Sequence, residues 1–105
     1  MTDRELLELA AKAAGYDVVF VHDNKIPMRR DVPNRKGMKV WNPLEDDGDA
    51  LRLAVMLNLL IDSCGMAARP LDDNIGWIDG DGETACQRVR SAITKVAAEI
   101  GRNMP

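Results

Sequence analysis

At 105 residues, with 46% apolar and 30% charged residues and a formal net charge of −3, the chain has the make-up of one globular domain. Intrinsic disorder is excluded, because it needs low hydrophobicity and a high net charge. A net charge this small also argues against an acidic mimic of DNA.

Aromatic residues are scarce, one Phe, one Tyr and two Trp, so the core is expected to be aliphatic, filled by Ala, Leu, Val, Ile and the six Met. Charges interrupt the N-terminus at once, in Thr2-Asp3-Arg4-Glu5, leaving no apolar signal region. The longest apolar run, Leu53 to Ile61, is broken only by Asn58 and falls far short of the ~20 residues of a membrane span. Cys64 and Cys86 have no CxxC spacing and read as buried or semi-buried thiols of a reducing compartment. The expectation is a single cytoplasmic domain, 1–105, with a frayed tail over 102–105 and no membrane partner.

The first helix is predicted over Asp3 to Ala14. Thr2-x-x-Glu5 is a capping box, Leu6, Leu9, Ala10 and Ala13 share a face, and Gly15 supplies the left-handed stop. Tyr16 to His22, rich in Val and Phe, predicts a buried strand, and Asp23-Asn24 a turn. From Lys25 to Lys39 the pattern fades, and Pro27 and Pro33 demote any strand to an edge or an irregular ribbon. Met38 to Trp41 predicts a second strand, stopped by Asn42-Pro43.

The acidic run Asp46-Asp47-Gly48-Asp49 opens a second helix, predicted over 47–57. Its body is apolar except for Arg52, which predicts cover on most sides, and Asn58 stops it. Leu59 to Ser63 and Ile75 to Asp79 predict two more strands, with Pro70 to Asn74 as the loop between. The third helix is predicted over 82–100, with Asp81 as N-cap and Gly101 as stop. Its stripe of Cys86, Val89, Ile93, Val96 and Ile100 faces the core, opposite Arg88, Ser91, Lys95, Glu99 and Arg102. The predicted fold is α+β: three helices on a short, mostly antiparallel sheet in the order α-β-β-α-β-β-α.

Three stretches resemble a known family. They are Asp3 to Gly15, the run Trp41-Asn42-Pro43-Leu44-Glu45-Asp46-Asp47-Gly48-Asp49-Ala50-Leu51-Arg52-Leu53-Ala54-Val55, and the helix end Ala97-Ala98-Glu99-Ile100-Gly101. Together they resemble the phage ABA-sandwich domain family. The resemblance implies a small α/β/α sandwich and a phage or prophage origin. It implies no activity, cofactor or site residue.

Four patterns bear on chemistry. Gly80-x-Gly82-x-x-Ala85 has the form of a dinucleotide fingerprint, but Asp79, Asp81 and Glu83 would repel a pyrophosphate and no βαβ unit follows. Those acids lack the later ligands of a calcium loop, with Thr84 and Arg90 where Gly and Glu are needed, so helix capping is the simpler reading. His22, Cys64 and Cys86 are the only material for nucleophilic catalysis, and their spacing shows no assembled site. The fourth is charge: from Lys25 to Lys39 six basic residues stand against Asp31, a segment of +5 in a chain whose remainder is −8.

That ribbon, Lys25, Arg29, Arg30, Arg35, Lys36 and Lys39, is either a binding surface for a negatively charged partner or a solvated loop paired with the domain's own acids. The function expected is non-enzymatic: a phage or prophage accessory protein that binds a host or phage macromolecule, such as a component of host defence. Nucleic-acid binding through the ribbon comes second, a small hydrolase or metal-binding protein third. No cofactor is expected.

Overall fold

The computed structural model describes residues 2–23, 25–31, 39–71 and 75–105. Along them run α1 (Asp3–Ala14), β1 (Val18–Val21), β2 (Ile26–Arg29), β3 (Lys39–Val40), α2 (Asp47–Met56), β4 (Leu59–Asp62), β5 (Ala67–Pro70), β6 (Ile78–Asp79) and α3 (Ala85–Arg102). This is the expected α+β fold, with strand blocks between helices and one strand more in each block than predicted. The strands pair antiparallel, in two three-stranded sheets, β1-β2-β3 and β4-β5-β6, rather than one.

Local chemistry explains the boundaries. Thr2 Oγ1 accepts the Glu5 amide at 3.2 Å, and Gly15 takes φ 77°, so α1 begins and ends as its sequence predicts. Its buried face is turned slightly from the expected one, onto Leu7, Ala10 and Ala11. His22 and Asp23, both at positive φ, turn the chain from β1 into β2.

Pro27 does not push β2 to an edge, because β2 is the central strand. The Pro27 carbonyl accepts the Trp41 amide at 3.0 Å, so the missing N–H faces the point where β3 stops pairing. A proline there withholds the second bond that a pair with Trp41 would make, so the ladder ends at Val40. The second unforeseen strand, Ala67-Ala68-Arg69-Pro70, has little intrinsic strand propensity. The preceding turn fixes it: the Asp62 carboxylate accepts the amides of Cys64 and Gly65 at 3.1 and 2.9 Å.

α3 is the hub, packing against α1, α2 and every strand of the second sheet. It begins later than predicted. Thr84, not Asp81, is the N-cap, with Gln87 completing a capping box, while Asp81 lies in the preceding loop. Gly101 does not end α3 either. The helix continues to Arg102, and a Cβ on Gly101 would lie 1.9 Å from the Leu9 carbonyl oxygen. Glycine is required here by the close approach of α1. The first residues of α1 share a cavity with Ser91 and Lys95, and Lys12 reaches the Met104 carbonyl at 3.1 Å, so the two helices run parallel.

The core is Leu7, Ala10, Ala11, Trp41, Ala50, Leu53, Ala54, Ala68, Ala92, Ile93, Val96 and Ala97. Alanine dominates it. Ser91, expected on the solvent side of α3, is buried and accepts the Asp81 amide. Cys86, expected on the buried stripe, is exposed like its neighbours in the first turn of α3, which projects past the core. Cys64 is exposed in the β4–β5 turn, so both thiols are free and at the surface, against the expectation of burial.

Candidate binding surfaces

The basic ribbon lies on and around β2 and β3, and Arg35 and Lys36 fall outside the described residues. Arg29 is half-buried. Its guanidinium stacks 3.6 Å from the centre of the Tyr16 ring and grips Asp31 through two bonds of 2.9 and 3.2 Å. Tyr16 in turn meets Trp41 edge-on at 5.6 Å, tying this arginine to the core. The hydrogen bond from Arg29 holds the Asp31 carboxyl below the usual range and raises the arginine. Arg30 makes a bidentate pair with Asp17 at 2.9 and 3.1 Å, which raises its pKa. Lys25 and Lys39 are exposed.

The glycine loop after β6 is occupied by its own fold. A Cβ on Gly80 would lie 1.6 Å from the Arg88 carbonyl oxygen, so that glycine serves packing. The loop amides a phosphate would need are already bonded: Asp81 N to Ser91 Oγ, Glu83 N and Thr84 N to Gln87 Oε1 at 2.8 and 3.0 Å. The Lys95 ammonium bonds the Asp81 carboxylate and lowers its pKa.

The acidic run before α2 is likewise structural. Asp46 accepts the Asp49 amide at 2.8 Å as N-cap, and Asp47 pairs with Arg90. Asp49, only 6% exposed, accepts the Asn42 amide at 3.0 Å and Arg52 at 2.8 Å. Among the described residues no cluster of three or more His, Cys, Asp or Glu could hold a metal ion. His22 sits in the β1–β2 turn, Cys64 in the β4–β5 turn and Cys86 at the start of α3.

Two surfaces that the sequence did not single out are richer. On the second sheet, Ala68 and Ile78 face the core, so the alternation of strands turns Leu60, Arg69 and Trp77 to the opposite face. Leu60 pairs with Arg69, whose guanidinium lies 5.3 Å from the centre of the Trp77 ring. Trp77 is 53% exposed and Leu71, just beyond β5, 65%. Asp62 and Asp79 flank this row on either side of Ala67.

The second surface corrects the expectation that α2 is covered on most sides. Leu51 is 58% exposed, Val55 68% and Met56 53%. Only Ala50, Leu53 and Ala54 of its apolar residues turn inward, because among the described residues α2 packs chiefly on α3 and β4. A groove of about 340 Å³ runs between α2 and α3, lined by Leu51, Ile61, Cys86, Val89 and Ile93. The i,i+4 pair Leu51 and Val55 was the available signal, hidden in a run apolar enough to suggest full burial.

Among the described residues no helix is long and apolar enough to cross a membrane. Searches of family models, of characterised proteins and of solved structures return no match to this chain.

Proposed function

We propose that this chain is a phage or prophage accessory protein that acts without catalysis, by binding a host or phage protein through the outer face of its second sheet. The observation that carries this reading is Trp77, half exposed beneath the Arg69 guanidinium, in a row that continues across the sheet to Leu60. Tryptophan and arginine dominate the energetic centres of protein interfaces, where an amphipathic ring fills a pocket and excludes water. The neighbouring carboxylates Asp62 and Asp79 favour a partner with basic groups at its rim and oppose nucleic-acid phosphate. The phage origin rests on the resemblance of residues 3–15, 41–55 and 97–101.

The test is capture from host lysate with and without nuclease. A protein partner is expected to survive nuclease treatment and to be lost with Trp77→Ala, whose truncation at an interface centre costs about 2 kcal/mol or more. Capture that disappears with nuclease, weakens steeply with salt and depends on Lys25 and Lys39 would replace this reading with nucleic-acid binding by the ribbon.

A further inference from the structure

We propose that the chain forms a two-fold homodimer in which β4 pairs antiparallel with β4 of a second copy and α2 packs on α2 of that copy. Two observations, independent of each other, point there. The first is the open edge of β4. Among the described residues β4 pairs only with β5, and Leu60 and Ile61 are 37% and 39% exposed. Edge strands in monomers are ordinarily guarded by Lys, Pro or a bulge. Leu59-Leu60-Ile61-Asp62 has none of these, and its one charged residue stands at the end of the strand, where Asp62 Oδ1 accepts the amides of Cys64 and Gly65 in the following turn. By contrast the edge strand β1 is half-buried throughout, with Arg4 laid over Phe20 at 5.1 Å.

The second observation is the apolar face of α2, which lies at the same side of the molecule. α3 packs mainly on β5 and β6 and reaches β4 as well, whereas the only strand α2 packs closely against is β4 among the described residues. Leu51 lines one groove with Ile61 of β4, Val55 stands one helical turn further along, and the intervening Arg52 is drawn back to Asp49 and Asp46 at 2.8 and 3.9 Å.

These two surfaces select their occupant. An extended peptide would pair with β4 and leave α2 bare, while a foreign helix would cover α2 and leave the strand edge open. A second copy presents a strand edge and an apolar helix together, in the same relative placement, as a self-complementary two-fold contact requires.

The register follows from symmetry. A two-fold axis perpendicular to the sheet must pair a residue with its own copy, because paired residues share a face. Centring on Leu60 sets Leu60 against Leu60 and Ile61 against Leu59. Centring on Ile61 sets Leu60 against Asp62, and centring on Asp62 opposes two carboxylates, so Leu60 is the favoured centre. Six strands then run continuously, and the two Leu60–Arg69–Trp77 rows meet across the axis.

Sedimentation of the full chain tests this without any foreign partner, so its outcome is separate from that of the binding reading. The parent is expected at twice the monomer mass. Val55→Lys and Leu60→Lys should weaken association roughly 30-fold or more, the loss typical of central interface residues. Leu71→Lys, about as exposed as Val55 but off the axis, should leave the dimer intact. In a Cys64→Ser, Cys86→Ser background, Leu60→Cys should cross-link two chains on oxidation and Leu71→Cys should not. A parent that stays monomeric, or a dimer indifferent to Val55→Lys and Leu60→Lys, overturns the proposal. A Leu60→Cys dimer that fails to cross-link overturns it as well.

Discussion

The α1–α3 side and the α2–β4 side of this protein use apolar residues in opposite ways. On the first, small side chains let two backbones meet: Ala10 and Ala97 are fully buried, and Gly101 touches the Leu9 carbonyl. On the second, large side chains, Leu51, Val55 and Met56, stand in solvent. Size and hydrophobicity of a residue therefore do not fix its burial. Position relative to neighbouring elements does: among the described residues α2 packs chiefly on α3 and β4, and its other face stands in solvent.

The largest effect should come from adding one methyl group to the closed side. Gly101→Ala puts carbon into the Leu9 carbonyl and forces α1 away from α3, which should cost ~3 kcal/mol or more. Chemical denaturation measures it, and a parent-like midpoint would show that the helices are not in close contact. Leu53→Ala removes a fully buried side chain and should cost about 2–5 kcal/mol.

Thr84→Ala comes next, because it breaks the capping box of α3, at about 1 kcal/mol. If Asp81→Ala cost more by the same measurement, the cap would be misplaced. On the open side, Val55→Ser should change the stability of the folded monomer by no more than ~0.5 kcal/mol. A loss as large as that of Leu53→Ala would mean that α2 is buried after all.

The smallest effect concerns acid. The pKa of Asp81 is lowered first by its hydrogen bond to Lys95 and then by the lysine charge. A carboxyl lowered in the folded state contributes stability above its unfolded value near ~4, and the contribution is lost as pH falls through the lowered value. Asp81→Asn should therefore shallow the fall of melting temperature below about pH 4 and leave neutral pH nearly unchanged. An unaltered acid limb would remove the Lys95–Asp81 pair from the account.

Much of the fold was legible because it follows local rules. The Thr2 cap, the Gly15 stop, the Asp46 cap and the Asn58 turn at φ 55° are each written in one or two residues. What was not legible depends on partners distant in sequence. Gly101 reads as a stop until α1 lies against it, and Pro27 reads as an edge residue until β3 ends beside it. The start of α3 is hidden although Thr84-x-x-Gln87 spells a capping box, because Asp81 in the Asp79-Gly80-Asp81-Gly82 turn is itself a good N-cap residue. Of the candidate site, the ribbon's charge was visible in sequence, but the bidentate pairing of Arg30 with Asp17, thirteen residues away, was not. Trp77 and Arg69 come together only through the register of β5 with β6.

The parallel seam between α1 and α3 has a consequence for how the chain folds. The two helices stand at opposite ends of the sequence, with 92 residues separating Lys12 from the Met104 carbonyl it bonds. The main helix interface is thus of very high contact order, and its loop-closure entropy is spent before any reward arrives. During synthesis α1 is made first yet must wait, its alanine face uncovered, until α3 has cleared the ribosome exit. Folding should then be a single late event, slow for a chain of this size.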